Sequence, residues 1–77
     1  MTSKLDQFVG ELFEEDAGAI GDETPFAECV GWDSLKHVQL IVGIETRFGV
    51  ELTGEEIDRL RTKRAAREIL AARRVDA

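Results

Sequence analysis

A chain of 77 residues, 43% hydrophobic and 34% charged, holds enough apolar material for one modest core and too little for a large α/β catalytic fold with its own cofactor domain. Its 10 Lys+Arg and 16 Asp+Glu give a formal net charge of −6, which argues against nucleic acid as a partner. One cysteine and one histidine exclude an internal disulfide and a zinc site with the usual ligand set.

The first element is an amphipathic helix over residues 3–16. Leu5, Phe8, Val9, Leu12 and Phe13 fall on one stripe, and Ser3 suits the N-cap with Asp6 three residues on. Glu14, Glu15 and Asp16 mark its end, because the C-terminus of a helix disfavours negative charge. Residues 17–33 follow, with Gly18, Gly21, Pro25 and Gly31 as punctuation. A connection of that length in a compact domain often carries function. Its apolar residues Ile20, Phe26 and Val30 are expected to pack on the core.

The second helix spans 34–48. Leu40, Ile41, Ile44 and Phe48 make a broad core stripe, and Gly49 is a natural stop. Leu35, Val38 and Val42 form a second stripe that either completes the core or leaves an apolar rim for a partner. Gly43, in mid-helix, costs about 1 kcal/mol against Ala and points to a close approach by another helix or a partner. A short third helix, 54–60, opens on a Thr53–Glu56 capping box and has an apolar edge at Ile57 and Leu60. The fourth, 62–74, takes Thr62 as its cap and turns Ala66, Ile69 and Leu70 inward, with Arg64, Arg67, Arg73 and Arg74 on its surface.

No segment alternates with period two. The expectation is an all-α fold: a small four-helix bundle with a long first loop and a short third helix, one domain over residues 1–77. Residues 1–58 hold 3 basic and 14 acidic residues, a balance of −11, whereas residues 59–77 hold 7 and 2, a balance of +5. The basic final helix is read as a solvated face that pairs with the acidic body, with nucleic-acid or membrane contact as the rival reading. No signal-peptide pattern and no stretch near a membrane span occurs, so a cytoplasmic protein is expected, and a monomer is the expected state.

The informative segment is Gly31-Trp32-Asp33-Ser34-Leu35. It sets a hydroxyl at the start of a helix, where unpaired backbone N–H groups and the helix dipole favour a phosphate. Ser34 or Asp33 equally suits a plain N-cap. His37 lies three residues after Ser34, but a serine nucleophile also needs an orienting group and an oxyanion site, and nothing nearby supplies them. His37 therefore reads as an exposed polar helix residue, with partner contact as the alternative. Trp32 reads as a ring packed on the loop with its indole N–H on a carbonyl, and Cys29 as a small buried hydrophobe beside Glu28.

Asp33-Ser34-Leu35 opens a helix that ends Glu45-Thr46-Arg47-Phe48-Gly49-Val50. With the Leu5–Phe13 helix, the acidic loop around Thr24-Pro25-Phe26 and the short Thr53–Leu60 helix, this pattern resembles the acyl carrier protein family over most of the chain. The resemblance implies that Ser34 is the attachment point for 4′-phosphopantetheine, transferred from coenzyme A by a phosphopantetheinyl transferase. The arm would hold acyl groups as thioesters for acyl-loading and acyl-processing synthase enzymes, so the protein would be a carrier and no catalyst. Asp33 would serve the transferase. Carried over from the family, the docking surface would comprise Leu35, Lys36, Val38, Gln39, Val42 and Glu45. Lys36 and Gln39 stand where fatty-acid carriers usually have acids, and Trp32 where they have a small residue. The Gly-Trp-Asp-Ser-Leu form looks more like free-standing carriers of polyketide-type or other specialised biosynthesis. A peptidyl or aminoacyl carrier of nonribosomal synthesis, and a helical interaction module without the arm, are the competing readings.

Overall fold

The computed structural model describes residues 3–77. Four helices follow one another: α1 (Lys4–Phe13), α2 (Ser34–Phe48), α3 (Gly54–Arg59) and α4 (Lys63–Ala72). No strand occurs among the described residues, and no helix there is long and apolar enough to cross a membrane. The principal extents are 30 × 28 × 21 Å. With helices about 10–12 Å across, the short axis holds two layers.

The start signals act as the sequence suggests. Ser3 and Thr53 each close a capping box with Asp6 and Glu56, and the Thr62 side chain accepts from the Ala65 N–H at 3.1 Å. The core is built from Leu5, Phe8, Val9 and Phe13 of α1, Leu40, Ile44 and Phe48 of α2, and Ala66, Ile69 and Leu70 of α4. Leu60 closes it beside α3, while Ile41 packs against it only half-buried. Gly43 explains itself here: a methyl at this position would collide with the Phe8 ring, so α1 and α2 approach over a bare backbone.

Several sequence expectations are corrected. The first helix ends at Phe13, short of residue 16. Glu14 adopts the left-handed backbone at φ 57°, and the Glu15 N–H turns back to the Gly10 carbonyl at 2.8 Å. The helix stops where its apolar stripe stops, so the Glu14-Glu15-Asp16 run adds no further turn of acidic residues to it. The fourth helix likewise ends at Ala72, short of residue 74, and the third at Arg59. In the long loop, Ile20 and Phe26 are buried as expected, but Val30 is 87% exposed. That loop also holds a single 3₁₀ turn, Phe26–Glu28, within a stretch read as irregular.

The loop is stitched to the far side of the molecule. The Phe26 N–H donates to the Arg61 carbonyl at 2.8 Å, and the Arg64 N–H to the Asp22 carbonyl at 3.0 Å. Four of the seven basic residues after position 58 pair with acids of the body: Lys63 with Asp6 and Asp22, Arg64 with Glu23, Arg67 with Asp6 and Asp22, and Arg73 with Glu56. Lys63 is only 2% exposed, a burial that its place in a basic tail did not suggest. The basic helix is thus an internal counter-charge for α1, α3 and the first loop.

Candidate functional site

The head of α2 is assembled by the end of the long loop. Gly31 has φ 87°, a conformation that L side chains rarely adopt, and it reverses the chain between Val30 and Trp32. Asp33, extended at φ −160°, then takes the N-cap. Its Oδ1 accepts from the Lys36 N–H at 2.8 Å, and its carbonyl accepts from the His37 N–H at 3.1 Å. Two capping candidates therefore become one. Asp33 does the capping, and Ser34 is the first helical residue, exposed, with no hydrogen bond to its hydroxyl among the described residues.

The floor beneath Ser34 is aromatic. Trp32 stacks on Phe13 and Phe26 with ring centroids 6.2 and 6.4 Å away, and Phe13 and Phe26 stack on each other at 6.1 Å. The ring packing matches the expectation for Trp32; the indole–carbonyl hydrogen bond is not found among the described residues. His37 meets Trp32 edge-on at 5.5 Å with an interplanar angle of 77°, and it is half-buried where exposure was expected. The Lys36 ammonium donates to the Leu12 carbonyl at 2.6 Å, a cation against the negative end of α1 that pins the two helix ends together. Cys29 is half-buried against the core, and burial, with Glu15 and Glu28 nearby, pushes its thiol pKa up. That setting suits a packed hydrophobe and not a reactive thiolate.

Two concavities meet at this floor. An open hollow beside the hydroxyl is lined by Trp32, Asp33, Ser34, His37 and Val38. A cleft of about 270 Å³ runs from Pro25, Phe26 and Ala27 to Ile57, Asp58, Leu60 and Arg61, and shares Trp32 and His37 with the hollow. Sequence reasoning had only the spacing of His37 from Ser34 as a pointer to this arrangement, and no local signal for Asp58 or Arg61.

Of the six positions carried over as a docking surface, four face outward: Leu35, Val38 and Val42 are 63%, 53% and 52% exposed, and Gln39 is exposed. The other two turn into the fold. Lys36 is tied to Leu12, and the half-buried Glu45 carboxylate accepts from the Leu52 N–H at 2.9 Å, holding the turn after α2.

The head of α2 fits a phosphodiester ester-linked to a serine. The hydroxyl is free, the Ser34 and Leu35 N–H groups lack partners among the described residues, and the one carboxylate lining the hollow, Asp33, is already bonded to the Lys36 N–H.

Comparison with known proteins gives concordant matches. A family model described as a phosphopantetheine attachment site matches residues 3–66. An acyl carrier protein of Thermosynechococcus vestitus is 37% identical over 59 residues, covering 77% of this chain and 73% of that protein. An acyl carrier protein of Helicobacter pylori is 35% identical over 52 residues, covering 68% and 67% respectively.

Proposed function

This chain belongs to the phosphopantetheine-attachment family of carrier proteins, and from that membership we propose that Ser34 bears the covalent 4′-phosphopantetheine. The protein is an acyl carrier and not a catalyst. When attached, the group supplies a terminal thiol that takes an acyl group as a thioester. In the loading step the Ser34 Oγ forms a bond to phosphorus. The pyrophosphate P–O bond of coenzyme A breaks, adenosine bisphosphate leaves, and the hydroxyl proton passes to a base of the transferase.

The observation that carries this assignment is the division of labour at the head of α2. Asp33 does the structural work of the cap, which leaves the Ser34 hydroxyl outward and unengaged. The rest of the chain's contribution is positional. Lys36 and the Trp32 stack fix the helix end, so the hydroxyl is presented from a rigid base. Leu35, Val38 and Val42 form the docking surface for the transferase and for the enzymes that load and process the acyl group, with Gln39 at its edge. This surface carries little charge, because Lys36 and Glu45 are both spent inside the fold. It suits the enzymes of a specialised, polyketide-type pathway better than the basic surfaces that acidic carriers meet.

Incubation with a phosphopantetheinyl transferase and coenzyme A tests the assignment by intact mass. The expected result is a gain of one phosphopantetheinyl group that Ser34→Ala abolishes. An unchanged wild-type mass with several competent transferases overturns it.

A further inference from the structure

We propose that His37, with the indole N–H of Trp32, is a positioning residue for the phosphodiester of the attached arm; the proposal rests on attachment at Ser34. His37 sits one helical turn beyond Ser34 on the same face of α2, and both line the hollow that opens beside the hydroxyl. Its ring is set against Trp32 at 5.5 Å, and Trp32 is itself held in the stack with Phe13 and Phe26. The imidazole is therefore placed by a rigid aromatic base. Neither the imidazole nor the indole N–H has a hydrogen-bond partner among the described residues, so both donors are available to an anion.

The charges around the site single out His37. A phosphodiester on Ser34 lies next in sequence to the Asp33 carboxylate, and the repulsion needs a cation. Lys36 is the nearest ammonium in sequence, but it is bonded to the Leu12 carbonyl at 2.6 Å. That leaves the imidazole as the one basic side chain lining the hollow. On its other side His37 shares the cleft with Asp58 of α3 and with Arg61 of the following connection. Asp33, Asp58 and Arg61 are present with or without the arm, so they drop out of a comparison between the two forms. What changes on attachment is one negative charge within the hollow.

The chain has one histidine and one tryptophan, so their ring signals in an NMR spectrum are unambiguous. The His37 ring protons are titrated with pH in the unmodified and the arm-bearing protein. Attachment is expected to raise the His37 midpoint by about half a pH unit or more, as a nearby opposite charge favours the protonated form. The Trp32 indole N–H signal shifts on attachment, and the phosphorus signal of the phosphodiester titrates with the His37 midpoint. In arm-bearing His37→Gln the phosphorus signal loses that pH dependence. If this variant fails to fold, the wild-type titration decides alone. An unchanged midpoint in protein whose mass shows full attachment overturns the role of His37 and leaves Ser34 standing. Absence of any mass gain overturns both.

Discussion

Asp33 and Ser34 show how one residue's work frees its neighbour. Both are preferred N-cap types, so composition alone does not separate them. The backbone does: Asp33 is extended and bonded to the Lys36 N–H, and Ser34 already belongs to the helix. Asp33→Ala should lower stability by about 1 kcal/mol, whereas Ser34→Ala should stay within about 0.5 kcal/mol of the parent, as an exposed polar side chain without a partner does. Urea unfolding of the two variants checks the pair; a loss at Ser34 equal to that at Asp33 would make the hydroxyl structural. Gly43 is the second residue where geometry overrides a local rule. Alanine is the better helix former by about 1 kcal/mol, yet its methyl meets the Phe8 ring, which is buried against α2 beneath the Arg47 guanidinium. Overpacking of this kind costs about 1–3 kcal/mol, so Gly43→Ala should lower the denaturation midpoint despite the gain in propensity.

At the scale of elements, the helices were legible because their caps and stripes agree. Ser3, Thr53 and Thr62 cap the helices they were expected to cap, and α2 runs from Ser34 to Phe48 as its periodicity predicts. The misreadings fall where long-range contacts decide. Val30 is apolar in a loop that packs, but the turn at Gly31 throws it outward. Lys63 opens a basic helix, yet it is buried because Asp6 lies across from it at the head of α1, a partner 57 residues away that no local pattern reveals. Lys63→Met removes one cation from Asp6 and leaves the Arg67 guanidinium on it at 2.8 Å. The expected loss is therefore below the roughly 3–5 kcal/mol of an orphaned buried charge. The same cluster sets the acid limit of the fold. Burial pushes the Asp6 carboxyl up, but Lys63 and Ser3 outweigh it and hold the group at about 2, against an ordinary 3.8. Arg73 and the Thr53 N–H hold Glu56 at about 2 against 4.5, and Arg67 lowers Asp22. Each folded value lies below the unfolded one, so the unfolded chain takes up protons first. The stabilisation is complete above the ordinary carboxylate range and drains away as pH falls towards 2. A thermal midpoint followed from pH 5 to pH 2 should fall through that window, less steeply in Asp6→Asn; equal slopes would remove Asp6 from the cause.

For the whole molecule, net charge conceals a separation that folding closes. The acidic body and the basic tail meet across α1, the first loop, α3 and α4, and their best pairs are sheltered: Lys63 and Asp6 have side chains 3% and 16% exposed, Arg73 and Glu56 29% and 13%. Salt screens such pairs weakly. The exposed pairs, Arg47–Glu11 at 2.9 Å and Arg64–Glu23, have more to lose but are worth about 0–1 kcal/mol each. Against them stands the surplus of −6, which includes the exposed Glu14, Glu15, Asp16, Glu28 and Asp33, all gathered on the first loop and the head of α2. Self-repulsion of exposed like charges disfavours the compact state, and salt screens it strongly. Relief of repulsion should outweigh the loss of two weak pairs. The thermal midpoint at pH 7 is therefore expected to rise as NaCl is raised from about 0.01 to 0.5 M, over which the Debye length shrinks from about 30 Å to only a few ångströms. Each 1 kcal/mol gained appears as about 4–8 °C in a domain of this size. A midpoint that falls with salt would mean that the ion pairs between tail and body carry more of the stability than the surplus of acid takes away.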